Sequence, residues 1–353
     1  MVSAALVAKV LSQAVTLAVH SWEYGTVCEA LLEWKNPEWS VFGADPFPGG
    51  KLPVLNVDQV DALNYVKPHI RTNNVTLVDG AGAAGDPASL GVPALLIGKT
   101  NSVYTDAAVR QEKHLVNDVP RWPNGAISQR ESLPELWADE VYMAPPFLAY
   151  YAVAKNNLAL AKESAGQCLL YRDVLVTPTG PWYHITGPQT KDFGLWSTGN
   201  GWAASGMARV LSTLRKSPFN SATESEQSSL TAAIKHIIDS AIALDTDSSG
   251  LLRNYLNDTT WFGEISGTAM LTATTFRLAV LAPDSFGGKY TKWAEKKMGV
   301  VDAGIDAGTG IVSPAINPLN WHDRTPFTTG SPEGQSFVVL MHAAYRDWKA
   351  KKR

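Results

Sequence analysis

The chain is poor in cysteine: its two thiols, Cys28 and Cys168, lie far apart and form neither a paired-thiolate metal knuckle nor a C-x-x-C redox motif. None of the seven histidines repeats as H-x-x-x-H, so a helical metal site lacks its ligands. Gly-x-Ser-x-Gly is absent as well, which excludes an elbow-type serine hydrolase. No apolar run reaches the roughly 18 residues of a membrane helix, and the apolar start is broken by Lys9, Ser12, Gln13 and Thr16 at helical spacing, unlike a signal peptide. No excess of positive charge exists either. With 30 Lys+Arg against 33 Asp+Glu, and no basic run beyond the closing Lys349–Arg353, there is no footprint for nucleic acid or an anionic membrane. No export signal is visible, yet two N-x-[ST] triplets, at Asn74 and Asn257, suit a secreted protein whose leader has been trimmed; otherwise the chain is cytoplasmic.

Three near-motifs also fail on chemistry. Gly80-Ala81-Gly82-Ala83-Ala84-Gly85 has the form of a dinucleotide fingerprint, but Asp86-Pro87 follows at once, and Pro87 would delete a donor in the early turns of the required helix. Gly98-Lys99-Thr100 resembles the end of a phosphate loop, with Pro93 where the partner glycine belongs. Asp245 to Gly250 copies half of a calcium loop, with Leu256 in place of the bidentate carboxylate.

What the chain does have is helical periodicity and tryptophan. Apolar residues at 6, 7, 10, 11, 14, 15 and 18, and again at 230, 234, 237, 238, 241 and 242, follow the 3.6-residue repeat. Further helices are expected over 26–35, 57–67, 89–99, 102–116, 141–155, 158–173, 202–215, 263–281, 287–298 and on the face of Phe337, Met341, Ala344, Tyr345 and Trp348. Strand-like alternation is scarce. Twelve helices joined by Gly/Pro/Asn-rich loops predict an all-α, six-hairpin toroid, a single catalytic domain over 1–353 with its functional residues in loops at one mouth. The 12 tryptophans are about twice the usual share, and many sit beside Gly, Pro, Asn or acids, as in carbohydrate sites where a sugar face packs on an indole.

Three segments concentrate this chemistry. In the first, Asp139 lies between Trp137 and Tyr142 at the start of an apolar helix; desolvation by aromatics favours the protonated form of a carboxyl, as a general acid requires. The second is Trp182-Tyr183-His184-Ile185. In the third, Gly194 to Trp202, two glycines flank Asn200 and would let a ligand approach the backbone, with Trp196 and Trp202 as a sugar platform.

WADEVYMAPPF, TGPWYHI, GLWSTGNGW, EISGTAM and SPEGQSF, in this order, resemble the signature segments of unsaturated rhamnogalacturonyl and glucuronyl hydrolases, glycoside hydrolase families 105 and 88. The resemblance runs from about Ser21 to Tyr345. It implies an (α/α)6 barrel and an oligosaccharide substrate from which a terminal 4,5-unsaturated uronic acid is removed by hydrating the vinyl ether double bond, without metal or organic cofactor. It assigns acid/base catalysis to Asp139 and a second carboxylate to Asp86, with Asp79 as the alternative. Trp22, Trp137, Tyr142, His184, Trp196, Thr198, Asn200 and Trp202 are the expected substrate contacts. One departure stands out: Thr198 replaces an arginine common in the family. Either Arg121, Arg130 or Arg172 then meets the uronate, or the leaving sugar differs. Alternatives are an (α/α)-barrel epimerase or polysaccharide lyase, with a paired-His or Tyr/His cleft, and a non-catalytic carbohydrate-binding scaffold.

Overall fold

The computed structural model describes residues 2–352. Among them are twelve α-helices: α1 (Ala4–Leu17), α2 (Ser21–Lys35), α3 (Asp61–Val66), α4 (Gly91–Gly98), α5 (Ser102–Lys113), α6 (Glu140–Lys155), α7 (Leu158–Leu175), α8 (Ser197–Lys216), α9 (Glu224–Ala243), α10 (Ile265–Leu281), α11 (Gly288–Ala303) and α12 (Pro332–Lys351). The even-numbered helices form an inner ring in which α4 packs on α6, α6 on α8, α8 on α10, α10 on α12 and α12 on α2; α2 meets the 3-10 turn Asp86–Leu90 that leads into α4. Each odd-numbered helix lies outside an even one, and the result is an (α/α)6 barrel. No helix among the described residues is long and apolar enough to cross a membrane.

Patterning separates the two rings. Outer α9 buries one face, Leu230, Ala233, Ile234, Ile237, Ile238 and Ala241. Inner α10 is buried from Ile265 to Ala279, and its threonines remain tolerable there because Thr268, Thr272, Thr274 and Thr275 each donate to the carbonyl one turn back. Toward the C-terminal ends of the inner helices, a buried ion network joins four of them. Arg209 of α8 pairs with Glu29 (2.8 Å) and Glu33 of α2, while Arg277 of α10 pairs with Glu33 (2.6 Å) and with Asp347 of α12 (2.5 Å). The opposite mouth, where the inner N-termini converge, is left for the cleft.

Several boundaries differ from expectation for identifiable reasons. α8 begins at Ser197 instead of 202, so most of Gly194 to Trp202 is helix and not loop. Tertiary packing overrides the poor helix propensity of its glycines: a Cβ on Gly201 would lie 3.0 Å from Met270 of α10. The helix expected over 57–67 is a 3-10 turn, Val57–Gln59, followed by α3. At Gly80–Gly85 the chain makes turns, with Gly82 at φ +86°, and no helix runs through the third glycine. Within the turn that mimics a calcium loop, Lys297 fills the space, pairing with Asp245 and donating to the Gly250 carbonyl.

Inside α6, Pro145 has no N–H to return to the Val141 carbonyl. Gly206 of α8 crosses at that point, and a Cβ there would lie 2.0 Å from the Val141 oxygen. Gly206→Ala is therefore expected to lower stability by about 1–3 kcal/mol. Gly299→Ala, in the interior of α11 with nothing near the added methyl, is expected to raise it by roughly 0.5–1 kcal/mol. Thermal unfolding of both variants measures the contrast, and equal shifts would refute the close α6–α8 crossing.

Candidate active site

A two-stranded ribbon builds the centre of the mouth. β1 (Leu136–Trp137) pairs antiparallel with β2 (Ile185–Thr186), and Ala138 N–H donates to the His184 carbonyl at 2.9 Å. Asp139, the N-cap of α6, and His184 are thereby set face to face across adjacent strands. His184 Nε2 lies 3.3 Å from Asp139 Oδ2, and His184 Nδ1 bonds Asp192 Oδ2 at 3.0 Å. Asp192 is itself fastened by Tyr255 Oη (2.5 Å), Trp321 Nε1 (3.0 Å) and the Gly194 N–H (2.9 Å). Trp196, Trp321 and Trp137 surround the imidazole, with ring centroids 4.3, 4.9 and 5.8 Å away.

This arrangement decides protonation. Burial alone would lower the His184 pKa, but the charge and contact of Asp139, then those of Asp192, outweigh it and raise it. Burial likewise pushes Asp192 up, yet bonds from His184 and Tyr255 prevail and hold it at about 2. Asp192 is thus a fixed anion on the Nδ1 side of the ring, and His184 Nε2 is left facing Asp139 Oδ2.

The other acids behave differently. Asp86 opens the 3-10 turn before α4 and accepts from Gln129 Nε2 at 2.8 Å. Burial, reinforced by the Asp139 charge, raises it to about 7 against the Gln129 bond and the charges of Arg130 and His20. Glu140 and Glu333 are pushed well above the carboxylate range, first by burial, so both are neutral. Glu333 accepts from Trp22 Nε1 at 2.8 Å. Gly85 makes room for the Glu140 carboxyl, which would lie 1.4 Å from a Cβ there.

These groups line a cavity of about 210 Å³. That is less than the roughly 300 Å³ of a small drug site. Six expected residues, Trp22, Asp86, Trp137, Asp139, His184 and Trp196, line it. Asp79 points instead to solvent, bound to Ala81 N–H and Arg71. Four expected contacts lie beneath the cleft and not on it, because helical spacing along α6 and α8 turns them into the ring. Trp202 is fully buried between Tyr142 and Phe337, both at 4.6 Å, and the Tyr142 ring lies against Arg209. Asn200 ties the Trp182 backbone to that of Trp196, and Thr198 is fully buried. Residues missed by sequence reasoning are Gln129, Met143, Pro318, Leu319, Trp321 and Glu333. Glu333 stood within SPEGQSF, and Trp321 beside a histidine; the rest carry no sequence signal.

The family model of Glycosyl Hydrolase Family 88 matches residues 88–316, and the chain belongs to that family. It is 24% identical over 272 residues to the unsaturated rhamnogalacturonyl hydrolase YesR of Bacillus subtilis (strain 168), covering 72% of this chain and 73% of that one. The structure of a possible member of family 105 from Salmonella enterica serovar Paratyphi A superposes with a TM-score of 0.74 at 19% identity, over 98% of this chain and 93% of that one. A family 105 glycoside hydrolase of C. acetobutylicum ATCC 824 gives 0.74 at 14% identity, over 98% of each.

Asp86 yields a pH prediction. It stays neutral in the folded chain up to about 7, whereas in the unfolded chain it ionises near 3.8, so its contribution to stability is full below 3.8 and is lost as pH rises through 7. Asp86→Asn keeps the neutral form at every pH. Its melting temperature is expected to gain on wild type between about pH 5 and about pH 8; an unchanging difference over that range would contradict the assignment.

Proposed function

We propose that the protein is an exo-acting unsaturated uronyl hydrolase in which Asp139 is the acid and base. It removes the terminal 4,5-unsaturated uronic acid from lyase-generated oligosaccharides of the rhamnogalacturonan or glucuronyl type. The observation that carries this reading is the close Asp139–His184 pair opening onto a small cleft walled by indoles. The cleft wall holds a single histidine, unlike the paired-His or Tyr/His arrangement that an epimerase or lyase would use. Closure of the ring by α12 on α2 supports treating 1–353 as one catalytic domain.

As general acid, Asp139 delivers a proton to C4 of the enol ether, and positive charge develops at C5 and the ring oxygen. Water then adds at C5 and gives its proton to Asp139, which restores the pair. The hemiketal formed opens to a ketone at C5, and the exposed hemiacetal at C1 releases the aglycone as an alcohol. His184 remains an imidazolium partner while Asp139 is charged, and Asp192 keeps its ring oriented. Asp86, neutral below about 7, offers a hydrogen bond to a substrate hydroxyl without repelling the uronate. Trp196 and Trp22 supply the apolar faces on which the sugar rests.

Purified protein is expected to erase the absorbance of the unsaturated uronate in a lyase-generated rhamnogalacturonan disaccharide. Asp139→Asn should be slower by about 10²- to 10⁴-fold. Absorbance that persists with every unsaturated uronate supplied, or an Asp139→Asn variant at full rate, would overturn the reading.

A further inference from the structure

The proposed substrate is an anion, and the cleft that must take it is lined by the carboxyls of Asp86, Asp139 and Glu333. Across this lining only two side chains can carry positive charge, His184 and Arg130. His184 is committed on both nitrogens to Asp139 and Asp192. Arg130 is not: among the described residues its guanidinium makes no hydrogen bond or ion pair, and it rests 5.9 Å over the Trp137 ring. The other two arginines considered as stand-ins for the cation absent at Thr198 are occupied elsewhere. Arg121 donates to the carbonyls of Gly125 (2.7 Å) and Val116 (3.0 Å), and Arg172 holds Asp173 at 2.6 Å.

The Gly80–Gly85 segment explains how Arg130 is aimed. The segment is zipped to the chain carrying Arg130 by Ala84 N–H to the Gln129 carbonyl (2.7 Å) and Glu131 N–H to the Gly82 carbonyl (3.1 Å), with Ala83 opposite Arg130. A Cβ on Gly82 would come within 3.1 Å of Arg130 Nη2, so glycine there makes room for the guanidinium beside the loop. Gly80, Ala81 and Ala83 carry no large side chain and leave the face of the guanidinium open to the cleft.

We infer that Arg130, laid along the Gly80–Gly85 loop, is the specificity residue that clamps the substrate's carboxylate; the inference rests on the uronyl hydrolase reading above. A planar guanidinium takes a carboxylate through two parallel hydrogen bonds, which fixes direction as well as position. In a 4,5-unsaturated uronate the carboxyl is attached to C5. Clamping it holds C5, and C4 one bond farther on, before Asp139. Because positive charge develops at C5, a cation near that carbon does not favour the reaction step itself. Arg130 therefore acts in binding, and its loss appears in KM more than in kcat.

The test compares the unsaturated rhamnogalacturonan disaccharide with its uncharged methyl ester, for wild type, Arg130→Met and Arg130→Lys, together with calorimetric binding of free galacturonate. Wild type is expected to prefer the acid, a comparison that needs no variant. Arg130→Met should raise KM for the acid by about 10- to 100-fold with kcat changed only severalfold, and should abolish the preference over the ester; Arg130→Lys should recover part of it. A wild type that treats acid and ester alike, or an Arg130→Met variant that keeps wild-type KM and preference, would overturn the clamp while leaving the hydrolase reading in place. Galacturonate binding that depends on Arg130 in a protein that turns over neither disaccharide would sink the hydrolase reading and leave the clamp standing.

Discussion

Everything at the mouth depends on the contact between Asp139 and a histidine that cannot turn away from it. Asp192 holds one imidazole nitrogen, so the other must face Asp139, and the two carboxylates together raise the His184 pKa against the effect of burial. The two residues flank the strands of one short ribbon, which brings their backbones close together. Indoles on three sides exclude water and lower the local dielectric, and this strengthens the pairing.

The surrounding charge is arranged to the same end. Inner helices present their N-termini to the mouth, where partial positive charge favours carboxyl groups and anionic ligands. Glu140 and Glu333 are nevertheless buried deeply enough to stay neutral, and Asp86 is at the margin, so the cleft has several acids but little net negative charge. The arginines of the Arg209–Glu33–Arg277 network sit toward the C-terminal halves of the same helices, where cations are favoured. Removing one partner there would strand a buried charge, so the network stiffens the scaffold that sets the ribbon's position.

Much of this was legible in the sequence. Twelve helical segments were legible, the amphipathic outer α1 and α9 from their apolar repeat, and Trp137, Asp139 and His184 stood in segments rich in aromatics. The failures have physical causes. Gly199 and Gly201 look like loop residues locally, but within helix α8 the first lies close against Trp196 and the second against Met270 of α10. Trp202 and Asn200 were read as surface contacts because a linear motif does not state which turn of a helix faces a cavity. Arg130 was one of three arginines the sequence offered and Glu333 stood within a signature segment, but only contacts with distant chain, Gly82 for the first and Trp22 for the second, bring them to the cleft. The glycine-rich segment that imitates a dinucleotide loop proves to be the surface along which Arg130 lies.

The most direct test of the central claim is an NMR titration of the His184 ring nitrogens in wild type and in Asp139→Asn. The account predicts that wild-type His184 titrates above the ordinary imidazole value, and that its midpoint falls when residue 139 loses its charge while the Nδ1 proton stays on the Asp192 side. A midpoint at or below the ordinary value, or one indifferent to residue 139, would contradict it.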